Sequence, residues 1–290
     1  MKPIQSLTAN SIIERQLHAY LEQIQPSFKS DGITISGPLH YGLEDQVRFA
    51  LERKSKKKRR LIVVLETTGG YIEVAQRIAD AFRQHYRIVD FIVPNYAMSA
   101  GTVLVMSGDA IYMDYFSVLG PIDPQVQQND NWVPALGYVK KFNQLIEKSS
   151  KGQLTSAEMT FLVSKFNPAE LYAYEQATKL SEQLLKQWLV KYKFKDWRTT
   201  EARRIKVTAA MKLKRAEEIA AKLNDTDRWN SHARPISMAV LKRELNLKIS
   251  DYEPLSVNVS IKCYYRLLRD YLIKRGFRWA IHSLEEFKGM

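Results

Sequence analysis

The sequence has a single cysteine, Cys263, among 290 residues, so no disulfide can form within the chain. One free thiol suits a reducing compartment, and we predict a cytoplasmic protein. The first residues lack the apolar core of a signal peptide. No apolar run approaches the about 18 residues that a membrane-spanning helix needs, so no transmembrane segment is predicted.

Several ligand-binding motifs are also missing from the sequence. It contains no phosphate-binding loop and no dinucleotide fingerprint, which argues against an ATPase or a nicotinamide enzyme. His-Glu-x-x-His and paired Cys-x-x-Cys motifs are absent too. The sequence therefore predicts no metal and no cofactor.

Positive charge is in excess, with a formal net charge of +13. Six of these charges fall within residues 54–60. Such a run can contact nucleic acid or an acidic surface, or it can be a solvated loop that keeps the following strand soluble. We favour the second interpretation because no aromatic residue interrupts the run and no nucleic-acid module accompanies it.

The centre of the sequence alternates strand and helix patterns. Leu61–Leu65 is a continuous apolar run, which is typical of a strand covered on both faces of a parallel sheet. A Gly-Gly turn and an apolar stripe at helical spacing follow it. Further strands are predicted at 88–93 and 110–113. Repeated strand–turn–helix units predict an α/β fold with right-handed crossovers.

Helices are predicted on both sides of this centre. Before it, the pattern predicts a helix over 7–24 that ends at Pro26, a short strand at 33–36 and a helix over 42–53. After residue 134 longer helices are predicted, over 169–193, 201–223 and 261–273. Thr200 is expected to cap the helix over 201–223.

Two turns after buried strands carry the candidate chemistry. Ser99 lies in segment 95–101, where small neighbours let a carbonyl group approach and a helix begins. Segment 67–70 ends in two glycines, which permit the backbone angles that leave an N–H group free. We predict that Ser99 is a nucleophile and that the N–H groups of Gly70 and Ala100 form an oxyanion hole. The alternative is a plain helix cap beside a plain turn.

Three motifs resemble the serine dehydrogenase proteinase family, which has the ClpP/crotonase fold and is related to signal peptide peptidase A and the Clp peptidase. They lie at 65–70, 97–102 and 119–125. Segment 232–247 resembles a later strand–helix element of the family, with Asn246 where glycine is frequent. The resemblance implies an α/β fold, a ClpP/crotonase-like repeated β-β-α superhelix with a parallel sheet, plus long helical additions. It also implies that Ser99 is the nucleophile.

The resemblance leaves the general base open. The Clp peptidase uses a histidine downstream of its serine, but this sequence has none between Tyr86 and Ser231. A first alternative is a lysine, by similarity to signal peptide peptidase A. A lysine must be desolvated to act as a base. We favour Lys151 in the corresponding window, which also holds Lys140, Lys141 and Lys148.

A second alternative for the base is His232. Asp123 would orient its ring, which is allowed because a catalytic triad is defined by geometry and not by sequence order. Histidine also titrates near neutral pH without special burial. Asp123 lies in a Gly-Pro-Ile-Asp-Pro segment that could equally be a rigid substrate-binding turn.

The sequence thus predicts a serine peptidase that cleaves peptides or unfolded segments through a Ser99 acyl-enzyme. By resemblance we expect a homo-oligomer. A catalytically silent scaffold that binds peptides or acidic partners is the main alternative. A crotonase-type acyl-CoA enzyme is less favoured, because such sites need no serine at this turn. The predicted organisation is a lead-in over 1–60, a catalytic core over 61–135, a helical extension over 136–250 and a C-terminal helical segment over 251–290.

Overall fold

The computed structural model describes residues 8–123, 125–128, 131–201 and 203–290. The chain divides into two units. Unit 1 is formed by Met1–Leu119 with Pro235–Met290, and unit 2 is Gly120–Arg234.

Helices and strands alternate along much of unit 1, whereas unit 2 is mainly helical. The helices are α1 (Ala9–Phe28), α2 (Leu43–Arg53), α3 (Ile72–His85), α4 (Ala100–Met106), α5 (Ala135–Ser150), α6 (Ser156–Lys165), α7 (Pro168–Trp188, continued by a π-helical segment Leu189–Lys193), α8 (Ala209–Leu223), α9 (Thr226–Trp229), α10 (Met238–Arg243) and α11 (Asn258–Arg275). The strands are β1 (Asp31–Ser36), β2 (Arg60–Glu66), β3 (Ile88–Ile92), β4 (Tyr96–Ala97), β5 (Ala110–Met113), β6 (Val118–Leu119), β7 (Gln125–Gln128), β8 (Asn131–Pro134), β9 (Ile236–Ser237), β10 (Ser250–Asp251), β11 (Ala280–Ser283) and β12 (Phe287–Gly289).

Unit 1 is built on a seven-stranded sheet with the order β10-β5-β3-β2-β1-β11-β12. The five strands from β10 to β1 are parallel, and β11 and β12 add an antiparallel edge. A small sheet of β4, β6 and β9 lies in the same unit. The predicted α/β, ClpP-like class with a mostly parallel sheet is confirmed.

The continuous apolar runs are explained by helices on both faces of the sheet. Ile92 of β3 belongs to a buried cluster with residues of α1 and α11. Its neighbour Phe91 points to the opposite face. There the Phe91 ring contacts the ring of Phe82 from α3, with centroids 6.2 Å apart. Since neither face of the central strands meets water, most side chains on both faces are apolar.

Two predicted helix boundaries are wrong. Helix α1 runs past Pro26 and ends where Lys29 takes a left-handed conformation with φ of 50°. Pro26 therefore lies inside the helix, where its missing N–H group costs one backbone hydrogen bond. Helix α8 starts later than predicted because Thr208, and not Thr200, caps it by accepting a hydrogen bond from the N–H of Met211.

The described residues of unit 2 are mainly helical, and strands β7 and β8 pair in an antiparallel manner. Helices α5 and α6 have no counterpart among the predicted elements. Tyr138 of α5 joins them to α7, since its ring lies 4.6 Å from that of Phe166 and 5.2 Å from that of Tyr174. In the described parts of the chain, no helix combines the length and apolar character that crossing a bilayer requires.

The basic run at 54–60 is partly engaged within unit 1. Lys54 Nζ lies 2.9 Å from a carboxylate oxygen of Glu285 and 3.7 Å from one of Asp31. The backbone N–H of Lys58 donates to Asp31 at 2.8 Å. These contacts tie the loop to the sheet, which agrees with a structural use of part of the charge. Contact with nucleic acid or an acidic surface stays a prediction.

A buried histidine makes unit 1 sensitive to acid. His282 is 1% exposed, and its Nδ1 lies 2.9 Å from the hydroxyl of Tyr264. Burial, with a smaller contribution from His18, lowers the pKa of His282 to about 3. In the unfolded chain a histidine has a pKa of about 6.5. Acidification between these values therefore favours the unfolded chain, which takes up a proton that the folded state excludes.

We expect His282→Gln to flatten the pH dependence of stability. Between about pH 6 and pH 4 the parent should lose about 1 kcal/mol more per pH unit than the variant. Urea unfolding followed by circular dichroism measures this difference. His85→Gln is the control and should keep the parental slope. Parallel pH profiles for the parent and His282→Gln would refute this role for the buried ring.

Candidate active site

Ser99 occupies a backbone conformation that serine rarely adopts. Its φ is 52° and its ψ is −123°, and it lies between β4 and α4. Such a conformation costs about 1–3 kcal/mol and persists only where its surroundings enforce it. The side chain makes no capping hydrogen bond to α4 and is half-buried. The plain helix-cap interpretation therefore fails, and the hydroxyl is available for another role.

The backbone around Gly70 directs one N–H group outward. The N–H of Leu39 donates to the carbonyl of Gly69 at 2.8 Å, so that carbonyl faces Leu39. In a trans peptide the C=O of one residue and the N–H of the next point in opposite directions. The N–H of Gly70 therefore points away from Leu39. It has no hydrogen-bond partner within the described part of the chain.

The N–H of Ala100 is directed by the same rule. The carbonyl of Ser99 accepts a hydrogen bond from Val103 at 3.3 Å, so it points along α4. The N–H of Ala100 shares that peptide plane and points back out of the helix start. Among the described residues it too lacks an acceptor. Two unpaired N–H groups thus flank the Ser99 turn and the glycine turn.

Glycines allow the two turns to pack without side chains between them. A Cβ on Gly69 would lie 2.7 Å from both the carbonyl oxygen of Met98 and the Cβ of Ser99. A Cβ on Gly101 would lie 2.3 Å from Thr67 Cγ2. Each turn therefore supplies a glycine at the point where the other approaches. The Gly69 position also has φ of 96°, which only glycine adopts readily.

A polar cluster joins the residues that precede both turns. Asn95 Nδ2 donates to Glu66 Oε2 at 3.1 Å and contacts the hydroxyl of Tyr265 at 2.7 Å. The Tyr265 hydroxyl also donates to the Glu66 carboxylate. Burial, followed by this hydrogen bond, raises the pKa of Tyr265, so the hydroxyl stays a donor. We call Glu66, Asn95 and Tyr265 the polar clamp; it links the glycine turn, the serine turn and α11.

Unit 2 contains the histidine–carboxylate pair that the sequence suggested. His232 Nδ1 lies 3.0 Å from Asp123 Oδ1. The Asp123 side chain is 2% exposed and that of His232 is 21% exposed. An ionised carboxylate only accepts hydrogen bonds, so it fixes the ring with Nδ1 protonated. The lone pair then lies on Nε2, as a general base requires.

Lys151 has a different environment within unit 2. Its side chain is 57% exposed and forms an ion pair with Glu147 one helical turn earlier. A lysine that acts as a base needs burial to lose its proton at neutral pH. The contacts within unit 2 supply no such burial. Of the other lysines in that window, Lys140 pairs with Asp227 and Lys148 with Glu158.

The departure at Asn246 has a structural reason. Asn246 follows α10 and has φ of 44°. Glycine is the residue that adopts this left-handed conformation most easily, and asparagine tolerates it better than other residues do. Asparagine therefore fits the left-handed backbone at this position.

Sequence reasoning missed the polar clamp. Glu66 and Asn95 adjoin the two predicted turns, but Tyr265 is 170 residues from Asn95 in the chain. No local pattern could pair them. In the described ranges, no group of three or more His, Cys, Asp or Glu side chains could hold a metal ion.

We expect Gly69→Ala to destabilise unit 1 more than Gly42→Ala does. The two glycines have nearly equal φ, 96° and 95°, but a Cβ on Gly42 meets no atom within 4 Å. Gly42→Ala should lower the free energy of unfolding by about 1–2 kcal/mol through backbone strain alone. Gly69→Ala should cost about 1–3 kcal/mol more, because its Cβ forces the turns apart. Denaturant unfolding of both variants measures the difference. Equal losses would show that the turns do not pack closely.

Part of the chain is similar to known proteins. Residues 37–163 match the family described as ClpP-like SDH-type serine proteinase. Two proteins of Methanocaldococcus jannaschii are similar in sequence. Uncharacterized protein MJ1495 is 28% identical over 202 residues, which cover 70% of this chain and 56% of that protein. Uncharacterized protein MJ0137 is 39% identical over 92 residues, which cover 32% of this chain and 31% of that protein.

The chain spans about half the length of one of these relatives and about a third of the other. Among solved structures, a mutant of the 1510-N membrane-bound stomatin-specific protease is similar over 51% of this chain and 82% of that chain. The sequence identity is 18% and the TM-score is 0.31. The family match over residues 37–163 confirms the resemblance that the motifs carry.

Proposed function

We propose that this chain is a serine peptidase in which Ser99 forms the acyl-enzyme. One observation carries the proposal: Ser99 is held in a strained turn directly against the glycine turn, and its hydroxyl does not cap α4. A strained strand-to-helix turn is how α/β-hydrolases expose their nucleophilic serine. The family match over residues 37–163 supports the same reaction class.

The proposed reaction begins with attack of Ser99 Oγ on a peptide carbonyl carbon. As the C–O bond forms, a general base takes the serine proton. The carbonyl oxygen becomes an oxyanion, which accepts hydrogen bonds from the N–H groups of Gly70 and Ala100. The C–N bond then breaks, and the protonated base gives its proton to the departing amine. Water hydrolyses the acyl-enzyme by the same steps in reverse order.

We propose His232 as the base, with Asp123 as its positioning residue. The support is the Asp123–His232 hydrogen bond, which fixes the tautomer that a base needs. Lys151 is the weaker proposal, since it is exposed and paired with Glu147. Peptides and unfolded segments are the proposed substrates. A cytoplasmic location and a homo-oligomer stay predictions.

A fluorophosphonate probe should label the parent chain and fail to label Ser99→Ala. Labelling follows attack of Ser99 Oγ on phosphorus, so it needs the nucleophile and the base but no peptide specificity. The modified residue is identified by mass spectrometry. Labelling that survives Ser99→Ala would overturn the proposal. No labelling of the parent between about pH 6 and 9 would favour the catalytically silent scaffold.

The same probe separates the two bases. We expect His232→Ala to slow labelling by about 100-fold or more, the usual contribution of a general base. Asp123→Asn should also slow it, because an amide stabilises the wrong tautomer of the ring. Lys151→Ala should label at the parental rate. The reverse result, with Lys151→Ala slow and His232→Ala unchanged, would assign the base to Lys151.

Removing the Tyr265 hydroxyl should lower the labelling rate more than removing the Tyr271 hydroxyl does. Tyr265→Phe breaks the polar clamp and loosens the two turns relative to each other. We expect about a tenfold slower reaction, because small misplacements of reacting groups are costly. Tyr271→Phe is the matched control. Tyr271 lies on α11 like Tyr265, but its hydroxyl donates to Glu14 of α1 at 2.6 Å and not to a clamp residue. Equal rate losses in the two variants would show that the polar clamp has no specific effect on the reaction.

A further inference from the structure

A groove of about 450 Å³ opens in unit 1 beside the ends of its parallel strands. Pro94 after β3 and the Tyr115–Phe116 pair after β5 line one part of it. Arg266 and Arg269 of α11 line another part. Ligands of open α/β sheets bind outside the carboxyl ends of the strands, which is where this groove lies.

The apolar part of the groove is exposed and held in place. Tyr115 is 77% exposed and Phe116 is 65% exposed, and their ring centroids lie 6.3 Å apart. The buried Asp114 carboxylate fixes the turn that carries them, since it accepts hydrogen bonds from the N–H groups of Phe116 and Ser117 at 3.0 and 2.8 Å. Tyr252 donates to its other oxygen at 2.8 Å. Aromatic side chains on a fixed loop are efficient contacts for a ligand.

Positive charge exceeds negative charge in the lining of the groove, which holds Lys262, Arg266 and Arg269 beside Asp114 and Asp270. Lys262 is neutralised by Glu253 at 2.6 Å, and Asp270 is neutralised by Lys274 at 2.7 Å. The guanidinium groups of Arg266 and Arg269 form no ion pair with any described residue. Guanidinium groups bind carboxylates in a bidentate manner, so two of them select acidic groups.

The groove continues toward the polar clamp. Pro94, Tyr265 and Arg269 also line a smaller cavity, together with Glu66 and Ser36. Tyr265 and Glu66 are two of the three clamp residues. Tyr265 therefore belongs both to the groove and to the polar clamp.

We propose that this groove binds a peptide segment that combines acidic and apolar side chains. Arg266 and Arg269 bind the carboxylates, and Tyr115 and Phe116 contact the apolar side chain. The inference rests on the proposed peptidase function and adds a preference for acidic substrates. A peptide is favoured over single-stranded nucleic acid because residues 37–163 match a proteinase family, and nucleic-acid binding is one outcome of the test below.

Binding is measured on the Ser99→Ala chain, so that cleavage plays no part. The probe is a fluorescent peptide with two glutamates beside phenylalanine and leucine. The control peptide has glutamine at both acidic positions. Fluorescence anisotropy should show that the acidic peptide binds about three- to tenfold more tightly at low salt. Arg266→Gln with Arg269→Gln should abolish this preference. Replacing Tyr115 and Phe116 by serine should weaken both peptides alike.

The control is Arg48→Gln with Arg53→Gln, which removes two exposed charges from α2. This variant should keep the preference, whereas equal loss in both double variants would show only the attraction of a basic chain. Equal affinity of the Ser99→Ala chain for both peptides would overturn the proposed acidic preference. An oligonucleotide that binds more tightly than the acidic peptide, and loses this affinity in Arg266→Gln with Arg269→Gln, would overturn it as well. If the parent chain reacts with the fluorophosphonate but the Ser99→Ala chain shows no preference for the acidic peptide, only the groove proposal fails. If the preference is present but the parent chain never reacts, only the peptidase proposal fails.

Discussion

The close approach of two glycine-containing turns is the constraint on which the candidate site depends. Gly69 lies against Ser99, and Gly101 lies against Thr67, with no room for a Cβ at either point. Parallel strands β2 and β3 bring these turns together because the chain leaves both strands at the same edge of the sheet. The apolar sequences of the strands fix this arrangement, since both faces of the sheet are covered by helices. The fold thus places the Ser99 turn beside two N–H groups that have no partner among the described residues.

Strain at Ser99 is maintained by contacts on several sides. The unusual φ and ψ of Ser99 would relax if the turn were free. The carbonyl of Thr67 instead accepts the N–H of Met98 at 2.9 Å, which ties the serine turn to the glycine turn. The polar clamp adds a second tie through Glu66 and Asn95. A rigid, preorganised arrangement is what stabilisation of a developing oxyanion requires, because donors that must move lose their advantage.

Much of this arrangement could be predicted from the sequence, for identifiable reasons. Continuous apolar runs marked the central strands, and the Gly-Gly and Ala-Gly positions marked the turns. The pairing of Asp123 with His232 could be proposed but not decided against Lys151, because it depends on contacts across 109 residues of chain. The clamp tyrosine and the late start of α8 could not be predicted. The tyrosine lies far away in sequence, and Thr200 and Thr208 are equally good caps until their N–H partners are known.

The proposed site requires that the N–H groups of Gly70 and Ala100 bind the oxyanion that forms when Ser99 attacks a carbonyl carbon. A crystal structure of the chain after reaction with a fluorophosphonate measures this directly. We expect a phosphorus–oxygen bond to Ser99 Oγ and a phosphonyl oxygen within about 3 Å of both N–H groups. An adduct on another residue, or a phosphonyl oxygen that contacts neither N–H group, would contradict it.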